Sequence, residues 1–240
     1  MNKVLIFAGG VGARMKINGE TPKQFLEISG KPIIIHTLEK FQKNKNVDDI
    51  VVVCVLEWIE YLKDLLKKYN ISKVSKVISG GQTGFESRLL GLSYLYENKS
   101  SDEDIVLLHD GVRPFILNEL IDNNIEVAKK YGNAITVSKA TETIIYNELS
   151  KDDVFLNRDY CIFARAPQTF KLVDIYKYYK QAVEDNVTHL IDSATICNYY
   201  GQTIHYVEGP QENIKITTPI DYFCACGILQ SEDEELKKYR

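Results

Sequence analysis

The sequence lacks the features that would place it in several specialised classes of protein. Its 240 residues contain no run approaching the ~20 apolar residues that span a bilayer. The net charge is −4, so no overall positive field favours a nucleic-acid backbone or an anionic membrane surface. We therefore expect no nucleic-acid partner and no membrane partner. Any anionic ligand has to be held by local positive groups.

Cysteine is scarce, and its five copies form no recognisable motif. The sequence has no CxxC pair and no histidine at ligand spacing, which argues against a zinc site or a redox pair. We expect free, buried thiols at Cys54, Cys161, Cys197, Cys224 and Cys226. The N-terminus enters a β-rich run within three residues and leaves no room for a signal peptide, so we expect a cytoplasmic protein.

The chain does have a regular alternation of β-rich runs and helical patterns. Runs such as "IVVVCV" and "IVLLH" lack polar alternation, as expected of parallel strands covered on both faces. The segments between them place apolar residues at helical spacing. This alternation predicts a single α/β domain over residues 1–240, with a doubly wound, mostly parallel sheet. The predicted strands are 4–8, 50–55, 73–78, 105–109, 134–138, 203–207 and 214–217.

One segment interrupts this rhythm. The sequence "TIIYNELSKDDVFLNRDYCIFA", residues 143–164, has β-branched and aromatic runs on either side of a polar turn. Such a pattern predicts a β-hairpin. We expect an arm over residues 141–165 that reaches a second subunit.

A glycine-rich loop follows the first predicted strand. Three glycines fall within four positions of "AGGVGARM", and a backbone without side chains can aim its N–H groups at phosphate oxygens. The loop is not a Walker A motif, and Met15 replaces the third glycine of a dinucleotide fingerprint. Arg14 lies in the loop and Lys23 follows it, so the pattern predicts a triphosphate cradle. A tight turn with solvated basic residues is the alternative.

Three further charged residues are candidates for the same site. Asp110 in "LLHDGVRPF" ends a predicted strand, where it could hold Mg²⁺ together with substrate phosphates or simply cap a turn. Lys215 in "ENIKITTP" alternates with Ile214 and Ile216 and could point into the cleft, although a strand lysine is usually solvated. Arg158 in "LNRDY" lies on the predicted hairpin, and nothing local distinguishes it from an ordinary surface arginine.

Taken together, five motifs resemble those of a known family. "AGGVGARM", "PKQF", "HDGVRPF", "APQTF" and "NIKITTP", in this order over nearly the whole chain, resemble the cytidylyltransferases that activate small polyol phosphates. That family includes enzymes acting on 2-C-methyl-D-erythritol 4-phosphate and on ribitol 5-phosphate. The resemblance implies a Rossmann-like nucleotidyltransferase fold, CTP and a polyol phosphate as substrates, Mg²⁺ as cofactor, and a homodimer joined by the β-arm.

The resemblance also implies roles for the residues whose letters match. The catalytic cations would be Arg14, Lys23 and Lys215. The CTP site would comprise Ala8, Gly9, Gly10, Gly12, Gly80, Gly81, Ser87 and Asp110, and Asp110 would also hold the metal. The acceptor site would comprise Arg113, Thr143 and Arg158. Arg158 and Thr143 would reach the partner's site from the arm.

Three positions depart from the family pattern. Gly84 stands where the family commonly has arginine, and Ala166 replaces the usual threonine of "TPQ". Ile191 replaces a threonine that helps to bind methylerythritol phosphate. The last change, together with "PIIIHTLEKF" and "DSATIC", favours D-ribitol 5-phosphate as acceptor and CDP-ribitol as product. The alternative acceptor is 2-C-methyl-D-erythritol 4-phosphate.

In the implied reaction a phosphate monoester oxygen attacks the α-phosphorus of CTP. The second pKa of such an acceptor is ~6, so the enzyme need not supply a general base. A glycosyltransferase of similar architecture would normally carry an Asp-x-Asp pair, whereas "HDGV" has one aspartate. A nucleotide-binding protein without activity would show losses among the phosphate-handling cations, and Arg14, Lys23 and Lys215 are all present.

Overall fold

Eleven strands are formed by the residues that this computed structural model describes, which are 1–10, 21–148, 152–190 and 192–230. In chain order they are β1 (Asn2–Ala8), β2 (Glu27–Ile28), β3 (Lys31–Pro32), β4 (Asp49–Cys54), β5 (Val74–Ser79), β6 (Ile105–Asp110), β7 (Asn133–Lys139), β8 (Ile144–Tyr146), β9 (Val154–Leu156), β10 (Ile162–Lys171) and β11 (Tyr206–Glu208).

Seven of these strands form the central sheet, in the order β11-β7-β10-β6-β1-β4-β5. Strand β10 runs antiparallel to both of its neighbours, and every other pairing in this sheet is parallel. The prediction of a mostly parallel sheet is confirmed. Two small antiparallel pairs, β2 with β3 and β8 with β9, lie outside it.

Helices cover both faces of the sheet. They are α1 (Ile33–Lys43), α2 (Ile59–Lys68), α3 (Gly84–Glu97), α4 (Asn118–Tyr131), α5 (Leu172–Glu184), α6 (Ser193–Tyr199) and α7 (Pro219–Gln230). Helices α1, α2 and α4 pack in one apolar cluster with Ile6 of β1, and α3, α5 and α6 pack in another with Leu5. Successive strand residues point to opposite faces, so this division confirms the doubly wound arrangement.

Strand β10 is the main feature that the sequence prediction missed. The hairpin predicted over 143–164 is present, because β8 pairs with β9 from Ile144 to Leu156. The prediction was wrong beyond that point, since Ile162 begins a ten-residue strand that enters the sheet between β6 and β7. Its apolar residues from Ala166 onward are buried like those of any central strand.

The predicted strand 214–217 is also wrong. This segment pairs with no strand, and its extended backbone is fixed by the N–H of Ile216, which donates to the carbonyl of Val112 at 2.9 Å. Ile216 is fully buried in a small cluster with Leu26 and Val112. Hydrogen bonds outside any sheet hold the segment extended, which is why its alternating pattern resembled a strand.

The prediction that the five cysteines are free and buried is confirmed only in part. Cys54 and Cys197 are buried, and burial raises their pKa values to about 11 and about 12. Cys161 and Cys226 are half-buried and Cys224 is exposed, so the prediction of burial was wrong for these three. All five thiols are free.

None of the helices in the described part of the chain combines the length and apolar character needed to cross a bilayer.

A buried amide ties α4 to two strands of the sheet. The Nδ2 group of Asn124 donates to the carbonyl of Leu120 at 2.8 Å and to the Oγ1 atom of Thr136 at 3.0 Å. Its Oδ1 atom accepts a bond from the Oγ1 atom of Thr169 at 3.3 Å. All three polar side chains are buried, so each depends on the others for its hydrogen bonds.

We expect Asn124→Ala to lower the free energy of unfolding by about 2 kcal/mol, because Thr136 and Thr169 lose a buried partner. Asn123 precedes it on the same helix and is exposed, so Asn123→Ala is the matched control and should change stability by less than about 0.5 kcal/mol. Urea denaturation followed by circular dichroism measures both. Equal losses in the two variants would contradict the assigned role of the buried amide.

Candidate active site

The carboxyl ends of β1 and β6 bring two predicted motifs together. The strands are parallel neighbours, and Phe7 of β1 lies opposite Asp110 of β6. The N–H of Gly111 donates to the carbonyl of Phe7 at 2.9 Å. A Cβ atom at position 111 would stand 3.1 Å from that carbonyl oxygen, so the close approach favours glycine. The glycine-rich loop after β1 therefore starts beside Asp110.

Asp110 is held between two cations. The Nζ atom of Lys215 lies 2.7 Å from its Oδ1 atom, and the Nε atom of Arg113 lies 2.8 Å from its Oδ2 atom. Burial by itself would raise the pKa of Asp110, but the charges and hydrogen bonds of Lys215 and Arg113 bring that pKa below its ordinary value. The carboxylate therefore stays ionised throughout the physiological pH range.

Two hydrogen bonds of Asn213 hold this cluster of charges in place. The carbonyl of Asn213 accepts a bond from the Nη1 atom of Arg113 at 2.8 Å, and the Nδ2 group of Asn213 donates to the carbonyl of Ala166 at 2.7 Å. Asn213 is fully buried and lies two residues before Lys215. The segment that carries Lys215 is thus tied to β10 and to the turn after β6, although it forms no strand.

A first cavity of about 290 Å³ opens beside Asp110. The predicted residues that line it are Ala8, Gly9, Gly10, Lys23, Gly81, Ser87, Asp110 and Lys215. The Nε2 group of Gln24 donates to the carbonyl of Ala8 at 2.6 Å and so fixes the start of the loop. A Cβ atom at Gly10 would lie 3.7 Å from the Cε atom of Lys23, which places the lysine stem directly against the loop.

The N-terminus of α3 forms the opposite wall of this cavity. The Oγ atom of Ser87 accepts a bond from the N–H of Gly81 at 3.1 Å. A Cβ atom at Gly80 would stand 3.0 Å from that hydroxyl, and one at Gly81 would stand 2.5 Å from the Cβ of Glu86. A side chain at position 81 would therefore clash with Glu86, and one at position 80 would press against Ser87. The helix start places backbone N–H groups and a partial positive charge at the cavity.

A second cavity of about 200 Å³ adjoins the first. The two share Phe7, Arg88, Asp110 and Lys215 as lining residues. The charged side chains that the described residues contribute to the second cavity are Arg88, Arg113, Arg165, Lys215, Asp110 and Asp192. Burial lowers the pKa of His109 to about 4, so this neighbouring imidazole is neutral. The described lining thus carries an excess of positive charge suited to a dianion.

Arg165 is a residue of this cavity that the sequence interpretation missed. Its guanidinium donates from Nε to the Oγ atom of Ser138 at 2.6 Å and from Nη1 to the carbonyl of Asn213 at 3.2 Å. Burial, with a smaller contribution from the charge of Arg113, lowers the pKa of Arg165. It lies where the register of β10 against β7 shifts, a feature that re-aims side chains. Because strand β10 was not predicted, nothing in the sequence indicated that this arginine lies near the site.

The remaining predicted residues lie in several different places. Arg113 lines the second cavity, and Gly80 packs against Ser87 behind the first. Thr143 and Arg158 belong to the arm, residues 141–165, and neither lines the two cavities formed by the described residues. The Nη1 atom of Arg158 donates to the carbonyl of Thr141 at 3.2 Å.

Gly12 and Arg14 lie outside the described residues, as does Ile191. Of the other two departures, Gly84 lines the first cavity and Ala166 lines the second.

The sequence matches a known family. The sequence profile of the 2-C-methyl-D-erythritol 4-phosphate cytidylyltransferase (IspD) family matches residues 2–231. The chain belongs to this family of cytidylyltransferases. Expectations of a nucleotidyltransferase fold and of family membership are confirmed.

Relatives within the family carry two different names. A ribitol-5-phosphate cytidylyltransferase from Vibrio parahaemolyticus is 50% identical over 97% of this chain and 98% of its own. One from Streptococcus agalactiae is 43% identical over 98% of each chain. A 2-C-methyl-D-erythritol 4-phosphate cytidylyltransferase from Clostridium novyi is 37% identical over 96% of this chain and 97% of its own.

A solved structure also matches the fold. The 4-diphosphocytidyl-2C-methyl-D-erythritol synthase of Anaerococcus prevotii superposes with a TM-score of 0.82, at 28% identity and with 96% of both chains covered.

We expect Asp110→Ala to lower the free energy of unfolding by about 3 kcal/mol, because it leaves the buried Arg113 without its carboxylate. Lys215 is 42% exposed in its side chain, so Lys215→Ala should cost less than about 1 kcal/mol. Urea denaturation at constant ionic strength measures both. A larger loss in Lys215→Ala than in Asp110→Ala would contradict this ranking.

Proposed function

We propose that this protein transfers CMP from CTP to a small polyol phosphate, D-ribitol 5-phosphate, and forms CDP-ribitol and pyrophosphate. The observation that carries the proposal is the pair of adjoining cavities that meet at Asp110 and Lys215. One substrate in each cavity brings the two reacting phosphates to this junction. The names of the relatives at 50% and 43% identity favour ribitol 5-phosphate over methylerythritol phosphate.

The first cavity is proposed to bind CTP. The backbone of Gly9 and Gly10, the start of α3 and the side chain of Lys23 supply N–H groups and positive charge for the triphosphate. Arg14 joins them by the family resemblance. Gly81 and Ser87 line this cavity and Gly80 packs against Ser87 behind it. These three residues are proposed to recognise cytosine.

The second cavity is proposed to bind the acceptor. Its described lining carries four cations and two carboxylates, which suits a phosphate monoester with two negative charges. Gln168 and Asp192, which are joined by a 3.1 Å hydrogen bond, offer polar atoms for the hydroxyls of the polyol. Ala166 presents a methyl group to the same cavity, where the family usually has a threonine hydroxyl. The choice between acceptors would depend on these three residues of the second cavity.

The chemistry needs positioning more than proton transfer. A phosphate oxygen of the acceptor forms a bond to the α-phosphorus of CTP, and the bond from that phosphorus to the oxygen bridging to the β-phosphorus breaks as pyrophosphate leaves. The acceptor is largely a dianion above its second pKa of ~6, so no side chain has to remove a proton. Lys23 and Lys215 line the cavity where charge develops and lower the barrier electrostatically.

The site offers a divalent cation one carboxylate, so the other ligands of the ion would have to come from the substrates. No group of three or more His, Cys, Asp or Glu side chains in the described part of the chain could hold a metal ion. Asp110 is ionised and faces the cavity, and Mg²⁺ is commonly held by one carboxylate together with substrate phosphates. Asp110 would therefore hold Mg²⁺, which when bound neutralises and aligns phosphate oxygens.

The arm is proposed to join two subunits of a homodimer. Strands β8 and β9 expose apolar side chains, and Phe155 is 69% exposed and Tyr160 87% exposed. Thr143 and Arg158 belong to the same arm, residues 141–165, but line neither cavity of their own described chain. Reaching the partner's second cavity would give both residues the acceptor-binding role that the resemblance implies. Residues 1–240, with the arm included, are proposed to form one nucleotidyltransferase domain.

The acceptor is tested by pyrophosphate release from CTP and Mg²⁺, with ribitol 5-phosphate and 2-C-methyl-D-erythritol 4-phosphate in parallel. We expect release with ribitol 5-phosphate and at least about tenfold lower kcat/KM with the methylerythritol ester. Release with the methylerythritol ester alone would contradict the assigned acceptor. Absence of release with both would contradict the proposed reaction.

The arm is tested with two inactive variants that are mixed. Arg158→Ala removes the residue donated to the partner, and Lys215→Ala damages the recipient's own site. We expect each variant alone to lose most activity and an equal mixture to regain up to about a quarter of the wild-type activity, because random pairing makes half of the dimers mixed and each mixed dimer has one intact site. Sedimentation should show that Phe155→Asp is monomeric and that Phe223→Asp, at an exposed position on α7, is not. A mixture that stays inactive would contradict sharing of the site.

A further inference from the structure

Arg88 lies at the junction of the two cavities, and the proposed reaction gives it no role beyond the positive charge that it adds to the second cavity. It lies in the second turn of α3 and is half-buried. Only Phe7, Asp110 and Lys215 share with it a place in the described lining of both cavities. Any groups that react across the junction must pass within reach of these side chains.

The charge of Arg88 differs from that of its neighbours because it is not balanced locally. Lys215 and Arg113 both form ion pairs with Asp110, which offsets part of their charge. Arg88 has no carboxylate within ion-pair distance among the described residues. A half-buried cation without such a partner favours an anionic ligand, because the ligand supplies the missing charge.

One aromatic contact and one adjoining open space define the position of the guanidinium at the junction. Its Cζ atom lies 5.7 Å from the centre of the Phe7 ring, which supports the charge from one side. Its Nη1 atom lies 3.6 Å from the point where a Cβ atom at Gly84 would stand. The absence of a side chain at the first residue of α3 leaves open space beside the guanidinium. Arg88 thus reaches back along its helix toward the helix N-terminus, as long helical side chains do.

We propose that Arg88 is a catalytic residue whose guanidinium contacts the phosphate groups on both sides of the bond being formed. This inference rests on the proposed cytidylyl transfer. A guanidinium can donate two parallel hydrogen bonds and can therefore bind oxygens of two phosphates at once. It offsets the repulsion between the anionic acceptor and CTP, and it stabilises the charge that gathers on the α-phosphate in the transition state.

The test compares Arg88→Met with Lys76→Met in steady-state kinetics of pyrophosphate release. Methionine keeps an unbranched apolar stem against Phe7 and removes only the charge. Lys76 is on β5, lies 5.9 Å from the ring centre of Tyr94 and lines neither described cavity, so it is a matched cation with a similar aromatic contact. We expect Arg88→Met to lower kcat by roughly 100-fold and Lys76→Met to leave it unchanged.

Two rescues separate direct contact from a structural role. Added methylguanidine should restore part of the activity of Arg88→Ala, since it can occupy the space of the lost group. The double variant Arg88→Ala with Gly84→Arg should recover at least about tenfold over Arg88→Ala, because position 84 adjoins the same space. Circular dichroism confirms that each variant is folded before its kinetics are compared.

Binding measurements keep the two proposals separable. CTP and inorganic phosphate are titrated separately into wild-type and Arg88→Met protein. Unchanged kcat together with unchanged affinity for both anions would overturn the role of Arg88 and leave the proposed reaction intact. A wild type that releases no pyrophosphate with any polyol phosphate would overturn the proposed reaction, while weakened anion binding in Arg88→Met would still support Arg88 as an anion contact.

Discussion

The ion pairs of Asp110 are the interaction on which the rest of the site depends. One carboxylate at the end of β6 holds Arg113 from its own turn and Lys215 from a segment more than 100 residues later. The carbonyl of Asn213 extends this network to Arg165 on β10. The network therefore fixes the shared wall of both cavities, and the fold places that wall at the carboxyl ends of the parallel strands, where α/β sheets bind ligands.

The same network explains how two anions can be accommodated side by side. Asp110 partly offsets Lys215 and Arg113, so these cations can be packed closely without excessive mutual repulsion. Arg88 and Arg165 have no comparable ion pair among the described residues, and they stand at the junction and in the second cavity. Local positive charge in an acidic protein thus lies where a phosphate would sit, and a net charge of −4 gives no hint of it.

Strand β10 shows how topology creates a cavity. It enters a parallel sheet in the opposite direction, between β6 and β7, and its register against β7 shifts between Ala164 and Gln168. That irregularity coincides with the residues that line the second cavity, Arg165, Ala166 and Gln168. A regular strand would direct alternate side chains to the two helical layers, whereas the shift frees several neighbours to face one ligand site.

The sequence by itself determined the parallel strands, the helices that cover them, the hairpin and the motifs around Gly9, Lys23, Asp110 and Lys215. These follow from periodicity and from residue types that act over a few neighbouring positions. Tertiary structure alone decided that β10 enters the sheet and that 214–217 forms no strand. It also decided that Arg88 and Arg165 reach the same cavity. All three outcomes depend on contacts between residues far apart in the chain, which no local pattern encodes.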